Sequence, residues 1–260
     1  MSTTMRDQEQ HVTGAAPAGA KDERAAAQAV QQMFDEISPR YDLLNHVLSM
    51  NVDRVWWWRT ARAFRSSLQK PDARALDLCC GTGDMARALR KQAPRVTIIG
   101  LDFSRGMLTR GKAKFAQNQI SPLEGDALRL PFPDQTFDVV VSAFGFRNLA
   151  NYDAGLQEMH RVLRPGGELG ILDFSEPGGL LGKVYGFYFK NILPKIGAAI
   201  SGINGPYSYL PASVSRFPSP AEMIIRMEAA GYTNARWQRY TFGVAGLYRG
   251  VKRVSIPTSS

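Results

Sequence analysis

The chain has 260 residues, 44% hydrophobic and 21% charged, which suits one α/β domain with additions and a full buried core. Its 32 basic and 23 acidic residues leave a formal charge of +9, which favours an anionic partner (nucleic acid, a membrane surface or an acidic substrate) without choosing among them. Adjacent Cys79 and Cys80 do not readily form an ordinary disulfide and three histidines suggest no metal constellation, so no metal and a reducing cytoplasm are expected. No charged-then-apolar leader is read at the start, and no apolar run reaches the ~20 residues of a membrane span.

Residues 1–24 are polar and rich in Ala, Gly and Thr, and read as a disordered tail. Val30, Met33, Phe34 and Ile37 recur at helical spacing until Ser38-Pro39. A second helical stretch, Tyr41–Leu48, precedes a third with Trp57, Ala61, Phe64 and Leu68 on one side. Together they predict an N-terminal helical layer over 25–70. Three successive tryptophans, Trp56 to Trp58, must point in different directions round a helix. One or two face the core; the third meets a partner, a lipid surface or a second copy, and burial of the whole cluster is an equal reading.

The main domain is expected over 71–254. An apolar run, Ala75 to Leu78, ends in a small-residue turn, and a helical pattern (Met85, Leu89) starts at once. Gly81 and Gly83 allow the tight turn and let the backbone approach a ligand. Asp102 closes a second run, Thr97–Leu101, where a carboxylate can take two ribose hydroxyls; a dinucleotide fold predicts the same spacing. A third run, Ser121 to Gly125, is closed by Asp126-Ala127, and a fourth is Val139–Ala143. Helix Asp153–Leu163, the turn Arg164–Gly167 and the strand Glu168–Phe174 follow. The stretch Gly178 to Ser201 is apolar nearly all round. With 178–218 it reads as a lid or insert over a greasy substrate, a buried helix being the competing reading. Helix Ala221–Ala230 and the strands Ala235–Phe242 and Ala245–Lys252 close the domain, leaving a tail at 255–260.

Acidic residues thus end the first three strands: Asp77 near the glycine turn, Asp102 and Asp126. S-adenosylmethionine suits such a site, since it carries a sulfonium, an ammonium, a ribose diol and an adenine amine but no phosphate. A pyrophosphate would want a clear helix N-terminus, yet Asp84 sits there. Order and spacing resemble a class I S-adenosylmethionine-dependent methyltransferase, an α/β Rossmann-like fold with a mostly parallel seven-stranded sheet. A dehydrogenase would need a second nucleotide-binding half, where aromatic sequence follows Phe174 instead. An RNA methyltransferase would want aromatics interleaved with Arg and Lys on one exposed face.

Further segments narrow the resemblance: Met33-Phe34-Asp35, Tyr41-Asp42, Asn45, Ala127–Phe137, Phe144-Gly145-Phe146-Arg147-Asn148, Leu193-Pro194-Lys195-Ile196-Gly197 and Tyr209-Leu210-Pro211. From about Val30 to Lys252 the chain resembles the menaquinone/ubiquinone biosynthesis C-methyltransferase family. It departs from a superfamily habit at Cys79, where methyltransferases often carry a glycine. The resemblance implies methylation of a ring carbon on a prenylated hydroquinone, demethylmenaquinol, with a polyprenyl-benzoquinol of the ubiquinone route as the alternative.

The resemblance also implies site roles. Arg147, after the fourth strand, stabilises a phenolate or orients a water; Asn148 holds that water or a ring oxygen; Tyr41 hydrogen-bonds the substrate hydroxyl. Asp77, Gly81, Thr82 and Gly83 hold the amino-acid end of the cofactor, Asp102 the ribose, and Asp126 with Ala127 the adenine. A cytoplasmic enzyme that visits the inner face of the membrane transiently is expected, without nucleic acid. A homodimer through the tryptophans or the last strands stays open.

Overall fold

The computed structural model describes residues 14, 15, 17, 20–37, 51–177 and 206–254. Helix α1 (Glu23–Ile37) is followed by α2 (Asp53–Ala63), α3 (Arg65–Leu68), β1 (Arg74–Leu78), α4 (Asp84–Gln92), β2 (Thr97–Asp102), α5 (Arg105–Gln117) and β3 (Ile120–Glu124). Then come β4 (Phe137–Ala143), a 3₁₀ turn at Phe146–Asn148, α6 (Tyr152–Val162), β5 (Leu163–Phe174), α7 (Pro206–Arg216), α8 (Pro220–Ala229), β6 (Tyr232–Tyr240) and β7 (Ala245–Lys252). The seven strands form one sheet in the order β3-β2-β1-β4-β5-β7-β6. Strands β1 to β5 run parallel, while β7 is antiparallel to both β5 and β6. The expected Rossmann-like, mostly parallel sheet is therefore present.

Strand alternation divides the core between the two faces. Ala75, Ile98, Val139 and Val141 pack under α2, α3 and α4 with Phe64, Leu68, Met85 and Leu89. Leu76, Leu101, Val140 and Ile171 face the other way, onto Leu156 and Met159 of α6 and Met223 and Met227 of α8. Such two-sided burial is why these strands read as continuous apolar runs.

Several local expectations change. Residues 14 and 15 fall in the predicted tail, yet Gly14 and Ala15 donate backbone hydrogen bonds to the carbonyls of Ala150 (3.0 Å) and Leu149 (2.7 Å). Helix α1 starts at Glu23, with the Ala25 amide donating to Asp22 Oδ1 at 2.7 Å. The described N-terminal helices pack in two places. Gln31 Nε2 of α1 donates to the Phe103 carbonyl after β2, whereas α2 and α3 cover the face behind α4.

The turn Arg164–Gly167 lies within β5: Leu163 stands opposite Phe137 and Glu168 opposite Val139, so five steps of β5 bulge out against two of β4. Strand β6 stops at Tyr240, because Thr241, Phe242 and Gly243 all take positive φ. No helix of the described residues is long and apolar enough to cross a membrane. The predicted helix Tyr41–Leu48 and the lid Gly178–Ser201 lie outside the described residues.

Candidate active site

At the carboxyl end of β1 the chain reverses through three left-handed residues, Cys79 (φ 55), Gly81 (φ 53) and Gly83 (φ 92). At Gly83 a Cβ would also lie 2.4 Å from the Phe115 ring, so glycine is required twice over. The turn is pinned by carboxylates. Asp77 Oδ2 accepts from the Ala86 amide at 2.8 Å, while its buried Oδ1 has no partner. Burial drives the Asp77 pKa well up, against the pull of the Ala86 amide. Asp102 joins two segments, its Oδ2 accepting from Gly81 N–H (2.7 Å) and its Oδ1 from Ser104 N–H (2.9 Å). Burial raises its pKa to about 6 despite these amides.

Above the turn lies a cavity of about 690 Å³ of empty volume, part of it open to solvent. Gly81, Asp102, Asp126 and Ala127 form one wall, Phe34 of α1 roofs it, and Phe144, Gly145 and Asn148 close the far side. Asp126 Oδ1 accepts from the Leu128 amide at 2.8 Å, and its carboxylate is exposed. The charged groups on the described wall are both carboxylates, Asp102 and Asp126. That donor set fits a cation bearing a diol and an amine, and it would repel a pyrophosphate. Asp84, at the head of α4, is paired with Lys114 at 2.8 Å and lies off this wall; the two wall carboxylates are what make S-adenosylmethionine suit the cavity better than a dinucleotide does.

The remaining predicted residues divide. Thr82 and Gly83 are not on the cavity wall: Thr82 Oγ1 accepts from Lys114 Nζ at 3.1 Å, and Gly83 is packed on Phe115. They shape the turn from behind. Asn148 reaches the wall, but Arg147 does not. The Arg147 guanidinium, almost fully buried, donates from Nη1 to Asp173 Oδ1 (2.9 Å) and to the Phe144 carbonyl, and it lies 5.3 Å from the centre of the Phe174 ring. The charge of this arginine is met inside the fold by the buried Asp173 carboxylate, while its Nε has no hydrogen-bond partner among the described residues. Tyr41 lies outside the described residues. His160 stands edge-on to Tyr232 and is not part of this wall.

Other contributors were not read from the sequence. Asp35, next in the chain to the roof residue Phe34, accepts from Ser104 Oγ (2.6 Å) and the Gly106 amide (3.0 Å). Tyr209 OH donates to Asn148 Oδ1 at 3.2 Å, and burial pushes its pKa up while Arg147 pulls it down. Asp173 had a visible signal, a fourth acid at a strand end. Tyr209 had only its place in the Tyr209-Leu210-Pro211 segment that carries the family resemblance.

Residues 19–252 match the model of the ubiE/COQ5 methyltransferase family. A demethylmenaquinone methyltransferase of Deinococcus radiodurans is 50% identical over 240 residues, 91% of this chain and 97% of the relative. A ubiquinone/menaquinone biosynthesis C-methyltransferase of Geobacter sulfurreducens is 43% identical, over 86% of this chain and 88% of the relative. Among solved structures, a SAM-dependent methyltransferase from Thermotoga maritima superposes with a TM-score of 0.60 at 18% identity, covering 86% of this chain and 100% of the other. That likeness concerns the fold.

Proposed function

Because the chain belongs to the ubiE/COQ5 methyltransferase family, we propose that it methylates a ring carbon of demethylmenaquinol, with S-adenosylmethionine as the methyl donor, to give menaquinol. The observation that carries this reading is the 50% identity to a demethylmenaquinone methyltransferase over 97% of that relative. Bound in the cavity, the co-substrate supplies an electrophilic methyl group. Its ribose diol would donate to the lone pairs of Asp102 left over by Gly81 and Ser104, and its adenine amine to Asp126 beside Ala127. Asp77, Thr82 and Gly83 hold the turn that presents the Gly81 backbone to the amino-acid end.

Carbon is a weak nucleophile, so the ring must first be made electron-rich. Loss of a proton from a ring hydroxyl gives a phenolate whose charge spreads to the adjacent carbon. That carbon bonds to the methyl group as the carbon–sulfur pair returns to sulfur, and the ring proton then leaves to restore aromaticity. The protein's share is alignment, exclusion of water and a path for two protons. Asn148, the member of the Phe-Gly-Phe-Arg-Asn segment on the cavity wall, is placed to hold a ring oxygen or the water that takes its proton. Arg147 acts through its neighbours, fixing the Phe144 carbonyl and Asp173 around that amide. Tyr41 stays the candidate to meet the ring hydroxyl from the other side. A prenyl tail holds the acceptor in a bilayer, so the reaction takes place at a membrane surface.

The test is transfer of labelled methyl to a reduced short-chain demethylmenaquinol, by wild type and by Asn148→Ala. Label in the quinol, lost in Asn148→Ala with cofactor binding intact, supports the reading. A folded wild type that binds S-adenosylmethionine and leaves the quinol unlabelled would sink it. A second reading, methylation of a polyprenyl-benzoquinol, is favoured by the relative named for both routes, and offering that quinol in the same assay separates the two.

A further inference from the structure

Away from the cavity, exposed apolar surface is gathered on one side. Five large hydrophobic side chains are exposed among the described residues, and three of them, Val55, Trp58 and Phe242, sit on α2 and on the turn between β6 and β7. The turn is fastened to the helix. Trp56 Nε1 donates to Thr241 Oγ1 at 2.8 Å, and the Arg59 guanidinium lies 4.3 Å from the centre of the Tyr240 ring. At the tip Phe242 is 78% exposed with φ 57. Left-handed backbone strains an aromatic residue, and a ring held in water returns none of that cost. Strain of this kind makes sense where the ring has something to enter.

Positive charge flanks these rings. Between α2 and α4 lies a cleft of about 850 Å³ of empty volume, lined by Arg54, Trp57, Trp58, Asp84, Arg87 and Lys91. Its carboxylate, Asp84, is already held by Lys114. Arg62 extends over the Trp58 ring at 5.3 Å. We propose that α2, this cleft and the β6–β7 turn form a docking face for an anionic phospholipid bilayer. Trp58, Val55 and Phe242 enter the interfacial layer, where amphipathic rings are favoured, and Arg54, Arg87 and Lys91 take headgroup phosphates. Nucleic acid would use basic residues and stacking rings, but it has no use for an exposed valine or for a phenylalanine held out on a strained tip.

The face also lies where a bilayer-borne acceptor has to arrive. Trp56, on the inner side of α2, packs 5.8 Å from Phe144, a residue of the cavity wall. One helix diameter, about 10 Å, thus separates bilayer and cavity wall. The choice of a bilayer rests on the proposed prenylated acceptor; the geometry of the face does not.

The test is co-sedimentation of the full chain with vesicles of phosphatidylcholine alone and with phosphatidylglycerol added. Wild type is expected to bind the anionic vesicles and to release at high salt. The triple variant Arg54→Glu, Arg87→Glu, Lys91→Glu should bind about a hundredfold more weakly. A control with the same change of net charge, Arg110→Glu, Lys112→Glu, Arg253→Glu, should bind like wild type. Equal loss in both variants, binding retained by the cleft variant, or preference of wild type for RNA over vesicles would overturn the proposal. Methyl transfer to acceptor dispersed in detergent is measured alongside: the cleft variant should keep it, which also shows that the variant folds. Absence of that activity in wild type counts against the proposed reaction and leaves the vesicle result standing.

Discussion

The turns after β1, β2 and β3 and the cluster behind Asn148 are built by opposite means. In the first region, Asp77, Asp102 and Asp126 each accept from a backbone amide, of Ala86, Gly81 with Ser104, and Leu128. Apart from the Gly81–Asp102 bond, partners lie within nine residues along the chain. In the second, side chains meet from far apart: Arg147 with Asp173, and Asn148 with Tyr209. Of these carboxylates, Asp102 and Asp126 line the cavity, while Asp77 is buried beneath the turn. A buried ion pair spends its charge internally and leaves the cavity only a positioned amide.

That contrast can be strained at several points. The largest effect should come from Asp173→Asn, which leaves the Arg147 guanidinium buried without its counter-charge. A loss of about 3–5 kcal/mol in urea unfolding is expected, and a loss below ~1 kcal/mol would mean that the pair does not hold the cluster.

Asp102→Asn tests the other region: affinity for S-adenosylmethionine should drop about 10- to 100-fold, as one charge-assisted bond is replaced by a neutral one. Its pH dependence sharpens the point. The folded pKa of Asp102 is raised to about 6, so the carboxylate is ionised above that value and neutral below it. Wild-type affinity should therefore weaken as pH falls through about 6, measured by titration calorimetry on the folded protein, and the asparagine variant should lack that step. The same shift means that Asp102 opposes folding as pH rises from its unfolded value through about 6, in a window the cofactor offsets.

Tyr209→Phe removes one hydrogen bond, worth about 1 kcal/mol. A kcat about fivefold lower with unchanged cofactor affinity is expected; a weakened cofactor affinity instead would merge the two regions into one. Smallest of all, Cys79→Gly should alter stability by less than ~1 kcal/mol, because relief of the left-handed backbone is offset by the greater freedom of unfolded glycine, as chemical denaturation will show.

The same division explains what could be read from the chain. Seven strands, the glycine turn and the acids Asp77, Asp102 and Asp126 are coded by residues close together: an apolar run, a small-residue turn, a helix cap. The sequence places Thr82 at the amino-acid end of the cofactor; its bond to Lys114, made across 32 residues, has no local signal. The pairing of Arg147 is hidden for the same physical reason, since Asp173 lies 26 residues on and no local pattern announces it. Strand β6 ended early because Thr241 and Phe242 take a conformation that neither residue favours. Helix α1 was foreseen as a helix, but its post above the cavity depends on Gln31 and Asp35 finding partners more than 60 residues away.

Helix α1 also bears on how ligands come and go. Its start is held by Glu23 on Asn151 (2.9 Å) and its end by Asp35 on Ser104 and Gly106, so the helix is strapped across the cavity with Phe34 beneath. The expected consequence is slow release of S-adenosylhomocysteine, limited by the letting-go of one strap end. Asp35→Ala should shorten that residence time in stopped-flow displacement, trading tight retention for speed; an unchanged off-rate would show that ligand exchange bypasses the strap.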